Sequence, residues 1–363
     1  MTTTNKTNRL LLFILIISFV ILILFISHLM ADLLVPVLIA LFTAFFLHPF
    51  IERLQRFMRG SWLPTLIVVI IFILLISIFL TILAFSFINF VTDLPKLTQA
   101  LQQKILQFAN QLAQWELLRE YINPQQLSGF LIDLIPINNI AQYLVSTMGK
   151  TVQIIKSFGL YALALIFILP GINKINYRVE SAFPNDNGKM INSIICHIIE
   201  QIQDYMIVKS IMSLSVGTLS YFICILFKIE YALLWGFIIF LLNYIPIFGS
   251  IIAVMFPMAL SLIQYQSIWS FALLTICLMI AQMVIGNIVE PRFLSRTAKL
   301  TPVIIFISLL IWGYIWGIPG VILAVPIMSA FNLICENFEQ LRPISKLIRC
   351  EEKQKKIKMK KKS

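Results

Sequence analysis

Long apolar runs dominate the chain, and polar residues gather in short clusters between them. The runs are Leu10–Met30, Leu33–Ile51, Leu63–Val91, Ser157–Gly171, Met206–Phe227, Tyr231–Gln264, Trp269–Val289 and Pro302–Ile334. A helix crossing a hydrocarbon core of roughly 30 Å needs about 20 apolar residues. The pattern predicts an all-α polytopic membrane protein of about eight transmembrane segments. The first run follows Lys6 and Arg9, lacks a small-x-small cleavage site and is followed at once by another run. It therefore reads as an uncleaved anchor.

Two runs are too long for one crossing. Tyr231–Gln264 has 34 residues, about 51 Å as a single helix, and Pro302–Ile334 is similar. Each holds helix-breaking residues near its middle: Asn243 to Gly249 (NYIPIFG) in the first, Gly317 to Gly320 (GIPG) in the second. Proline removes a backbone donor and glycine relieves the turn that follows. Each run is predicted to be a helical hairpin around a break.

Charge placement supports the hairpins. Arg53, Arg56 and Arg59 lie in one polar loop, Arg292, Arg296 and Lys299 in another, and seven lysines in Lys353–Ser363. Basic residues favour the cytoplasmic side. All three segments reach that side only if both long runs are hairpins, which also puts the amino terminus inside and makes the two hairpins oppositely oriented. Residues 92–156 then lie outside as a helical segment, with apolar residues spaced helically at Leu97, Leu101, Ile105, Phe108, Leu112 and Trp115. The predicted organisation is 1–91 (three transmembrane helices), 92–156 (external helical segment), 157–205 (fourth transmembrane helix and cytoplasmic loop), 206–335 (transport core with both hairpins) and 336–363 (basic cytoplasmic tail).

Composition narrows the function classes. The 363 residues are 60% hydrophobic and 12% charged, against about 25% charged in an ordinary soluble domain. Soluble enzymes and secreted modules are excluded. The net charge of +12 falls to +5 without the seven tail lysines, so the tail reads as a partner for anionic lipid rather than for nucleic acid. The five cysteines are scattered without a CxxC pair, which supports neither a metal site nor a disulfide framework. There is no GxxxxGK[ST] and no zincin or dinucleotide motif, so neither a cofactor nor an enzyme is expected.

The two breaks resemble each other. Ile247–Val254 (IFGSIIAV) matches Ile318–Val325 (IPGVILAV), and each leads to a proline, Pro257 or Pro326. Inverted repeats with discontinuous helices are a mark of secondary transporters, whose substrates bind near the break.

Five stretches, in order, carry a family resemblance: Val37–Pro49 with Ile51, Tyr205–Gly217 (YMIVKSIMSLSVG), Tyr231–Gly249, Gly286–Arg292 (GNIVEPR) and Phe306–Pro326. From about residue 30 to 335 the chain resembles the autoinducer-2 exporter family, the PerM-like permeases, and within it the quorum-signal exporter branch. The resemblance implies a bacterial inner-membrane transporter, multi-pass with both termini cytoplasmic, and a homo-oligomer, a pentamer being one form. Its substrate would be a small molecule or an ion. Other members of the family are sodium/proton antiporters. A membrane scaffold that transports nothing is the reading from outside the transporter class.

Polar side chains in the spans are functional candidates, because each is costly in lipid unless partnered. Asn243, beside Pro246 and Gly249, either satisfies backbone groups freed at the break or meets a polar substrate. Pro319 and Gly320 shape the second break. Gln282, Asn287 and Glu290 project roughly to one side of the penultimate helix, and Glu290 has an alternative as an interfacial partner of Arg292 or Arg53. Lys209 either snorkels to the interface or lines a pathway. His197, Glu200 and Asp204 share one face of a helix, read as a solvated interfacial surface rather than a metal site.

Overall fold

A computed structural model of the chain describes residues 2–58, 62–113, 129, 151–172, 181–182, 186–246, 248–265, 267–294, 300–338 and 340–349. Trp115, the rest of the external segment beyond Ala113 apart from its last residues, and the lysine tail lie outside these. The described residues are almost all helical. In chain order the helices are α1 (Thr2–Leu29), α2 (Ala31–Gln55), α3 (Trp62–Ala113), α4 (Thr151–Ile172), α5 (Asp186–Leu226), α6 (Ala232–Leu242), α7 (Phe248–Gln264) and α8 (Ile268–Gln282). A π-helical turn (Met283–Val289) then leads to α9 (Glu290–Leu294), α10 (Pro302–Trp316), α11 (Ile318–Asn337) and α12 (Arg342–Ile348).

Among the described residues, five helical stretches are long and apolar enough to cross a membrane: Ala31–Gln55, Trp62–Gln111, Ile191–Leu226, Ile268–Phe293 and Ile318–Asn337. Rows of exposed leucine, isoleucine and phenylalanine on α3, such as Leu74, Ile78 and Phe85, would be unstable against water and suit lipid. Two helices outrun the apolar runs that seed them. α3 passes through Pro95 without stopping, and α5 begins in the polar stretch before Met206. Helical periodicity continues in the polar residues there, so the helix persists where hydrophobicity fades.

The chain forms two compact units. One comprises residues 1–71, 157–209 and 292–363, the other 72–156 and 210–291. Each contains one broken hairpin.

In the first unit α10 and α11 form the hairpin. The break is a single residue, Gly317, with φ +66, a conformation that glycine adopts without strain. Its N–H donates to the Gly313 carbonyl and its own carbonyl accepts from Val321 N–H, so it closes one helix and opens the next. Pro319 stands in the first turn of α11, where its missing N–H costs nothing. The break is thus tighter than the four residues expected. Gly320 is where the halves touch: a Cβ there would lie 1.9 Å from the Trp312 carbonyl oxygen. At the open end α12 folds back, with Thr301 N–H donating to the Ile348 carbonyl, Ser345 Oγ to Asn332 Oδ1 at 2.9 Å, and Arg349 paired with Glu336.

In the second unit α6 and α7 form the other hairpin. Glu230 N–H, just before α6, donates to the side chain of Gln264 at the end of α7. Both ends of the hairpin therefore lie together, which a continuous rod forbids. Cys224, Leu234, Trp235, Val254, Leu260, Leu274 and Leu278 form its core.

Candidate functional site

α6 has eleven residues, about 16 Å at 1.5 Å per residue. That length is about half of a 30 Å hydrocarbon core. At its end the chain breaks. The N–H groups of Asn243, Tyr244 and Ile245 still close turns onto Ile239, Leu241 and Leu242. Pro246 has no N–H to continue them, and α7 starts after Phe248 N–H has turned back to the Pro246 carbonyl at 2.8 Å. Gly249 then lies against the end of α6: a Cβ there would sit 1.8 Å from the Leu242 carbonyl oxygen.

Irregular backbone inside a membrane needs polar company, and three helices supply it. Asn243 is 3% exposed. Its Nδ2 donates to Ser213 Oγ of α5 at 3.0 Å. Its Oδ1 accepts from Nε2 of Gln282, the last residue of α8, also at 3.0 Å. Beside it, Tyr244 hydroxyl donates to Ser210 Oγ, one turn earlier on α5, at 2.8 Å. The network consists of amides and hydroxyls alone. Gln282 Oε1 is buried and has no hydrogen-bond partner among the described residues, an acceptor left open in an apolar setting.

Close helix packing lets these short side chains meet. α5 and α6 cross at Gly217 and Gly236, where a Cβ on Gly217 would fall 2.7 Å from the Gly236 carbonyl oxygen. Small residues at such crossings let backbones approach in membranes.

The open end of the hairpin is held by α3. Asp93 accepts from Tyr231 hydroxyl at 2.6 Å and from Lys96 at 2.7 Å. Lys104 Nζ donates to the Leu262 carbonyl at 2.9 Å and to that of Tyr265, a favourable cation at the C-terminus of α7. The bond from Lys96, then that from Tyr231, holds the Asp93 carboxyl below its ordinary pKa.

The structure brings Asn243, Pro246, Gly249 and Gln282 into one neighbourhood. Asn287 lies farther along the helix and is exposed, and Glu290 is half-buried at the start of α9. Pro319 and Gly320 belong to the other unit and its own break. Lys209 is 3% exposed, enclosed by protein rather than snorkelling. Among the described residues no group of His, Cys, Asp or Glu could hold a metal ion, His197, Glu200 and Asp204 included. Ser210, Ser213 and Tyr244 escape sequence reasoning, although the two serines stand three apart in the Tyr205–Gly217 stretch and so share a helix face.

Comparison with known proteins fits this geometry. The model of a family described as "AI-2E family transporter" matches residues 12–340. The putative transport protein YhhT of Escherichia coli K12 is 27% identical over 312 residues, covering 85% of this chain and 86% of its own. The AI-2 transport protein TqsA of the same organism is 24% identical over 306 residues, 84% and 86% of the two chains. A sodium-lithium/proton antiporter of Halobacillus andaensis is 24% identical over 320 residues, 82% and 88%.

Proposed function

The chain belongs to the AI-2E transporter family, and on that premise we propose that it is a gradient-driven carrier of the bacterial inner membrane exporting a small polar metabolite such as AI-2, the solute that the name of TqsA gives as transported. The observation that carries this reading is the Ser213–Asn243–Gln282 network at the first break, with its open acceptor on Gln282. A solute bearing hydroxyl or amide donors satisfies that acceptor, and the freed Asn243 amide can follow it. Substrate sites of secondary transporters lie at such discontinuous helices. The protein acts as a carrier and not as an enzyme, as a homo-oligomer with both termini cytoplasmic.

The named activity of the Halobacillus relative favours a second reading, sodium or lithium exchange for protons. Proton coupling calls for a titratable group in the pathway; the Ser213–Asn243–Gln282 bonds involve no carboxylate, imidazole or amine, and their titratable neighbour is the Tyr244 phenol. Proteoliposomes separate the readings. Export predicts counterflow of labelled hydroxylated solute that Asn243→Ala abolishes. Antiport predicts sodium-dependent dissipation of an imposed pH gradient. Neither signal from well-folded protein would overturn transport.

A further inference from the structure

The π-helical turn Met283–Val289 begins directly after Gln282, and Glu290 N–H closes it by donating to the Ile285 carbonyl, five residues back. Pro291, without an N–H, follows at once, so the wide turn ends where the ladder would lose a bond in either register. None of its seven residues is buried. Single π turns inside α-helices concentrate at functional sites.

Register decides what this turn presents. In an α-helix, residue i+5 lies about 140° around the axis from residue i. In a π turn, where bonds span five residues and each residue advances roughly 80°, it lies only about 40° away. The π register therefore carries Asn287 round to the side of Gln282. The Gln282 side chain lies along that side, since its Nε2 would be 3.5 Å from a Cβ at Gly286, one turn on. An exposed amide at Asn287 is poorly matched to lipid.

We propose that the π turn lays a water-accessible polar track from the first break past Gln282 and Asn287 toward the Glu290 end of the helix, and that Asn287 is a second solute-contacting station on it. This rests on the transport reading, and it gives that reading one half of its path.

The test uses the full-length chain in vesicles, with native cysteines replaced and one cysteine introduced at a time by Val284→Cys, Asn287→Cys or Ile288→Cys. The probe is a hydrophilic, membrane-impermeant maleimide applied to either side. Only the thiolate reacts, and a one-unit rise in thiol pKa among apolar neighbours lowers its fraction about tenfold. The Asn287→Cys variant should label about tenfold faster than the other two. Inserting one alanine after Val284 makes Asn287 the sixth residue after Gln282, about 120° round in either register, and should remove that advantage, with unchanged size-exclusion behaviour showing that the protein folds. Equal labelling of all three variants, or fast labelling of Asn287→Cys that survives the insertion, overturns the track. Solute flux is recorded on the same vesicles: absent flux with the expected labelling pattern defeats the transport reading and leaves the water-accessible track standing, whereas flux with uniform labelling defeats the track alone.

Discussion

Gln282 donates to Asn243 across 3.0 Å, joining two helices through residues 39 apart in sequence. Because Asn243 also donates to Ser213, the three side chains form one chain of bonds. Interhelical hydrogen bonds in membranes average about 0.6 kcal/mol and reach about 1.7. Gln282→Ala and Asn243→Ala should each slow flux strongly while costing roughly 1 kcal/mol of stability. The double variant should cost clearly less than the sum, because either change alone breaks the shared bond. Thermal unfolding in detergent together with flux in proteoliposomes checks this, and additive losses would show that the pair is not coupled.

Gly249→Ala and Gly320→Ala should be structural failures. Their new methyl groups would meet backbone oxygen at 1.8 and 1.9 Å, and neither Leu242 nor Trp312 can withdraw a carbonyl from a hairpin end. Overpacking of this kind costs about 1–3 kcal/mol or more. Gly159→Ala is the control, since nothing lies within 4 Å of a Cβ there. A drop in melting temperature for the first two and none for the third is the expected result.

The Asp93 clasp sets a pH dependence. Its folded-state pKa is lowered, so the contribution is fully present above the ordinary carboxylate value near 4 and is lost as pH falls through the lower folded value. The stability difference between the native protein and Asp93→Asn should stay constant from neutral pH down to the ordinary carboxylate range and shrink as pH falls below it. A difference that grows on acidification would place the carboxylate elsewhere.

Ser345→Ala should loosen the open end of the other hairpin. It leaves the buried Asn332 Oδ1 without the hydroxyl that now donates to it, a loss of about 1 kcal/mol. Hydrogen exchange should accelerate at Thr301, whose N–H is held by the adjoining Ile348 carbonyl, and remain unchanged within α6.

Much of this was legible in the chain itself. Both hairpins followed from run length, glycine and proline, and Asn243 and Gln282 stood out as amides in apolar surroundings. The internal repeat reappears as equivalent roles: Gly249 and Gly320 each press on the end of the preceding helix, and Ala253 and Ala324 are both fully buried. Other features left no such mark. Serine is ordinary in a membrane helix because it can bond its own backbone, as Ser215 does to Ile211, so Ser213 carries no signal until α6 is packed against it. The π register itself is invisible in the sequence: the expected one-sided placement of Gln282 and Asn287 would not hold on a regular α-helix, where residues five apart lie about 140° round, and holds only because the turn is wide. The continuity of α3 through Pro95 also left no mark; there the flanking polar residues bond locally, Lys96 to Asp93 and Thr98 to the Pro95 carbonyl, and the helix continues.

The glycine crossing of α5 and α6 has a mechanical consequence. With the Gly236 carbonyl almost against Gly217, and the Cβ atoms of Phe240 and Tyr221 packed beside the two glycines, sliding one helix along the other would drive these close-packed atoms into one another. The pair behaves as one stiff beam. Compliance is left to the segments without such a seam, the residues from Asn243 to Pro246 and the wide turn after Gln282, and these two soft joints are linked through a hydrogen bond between the Gln282 and Asn243 amides.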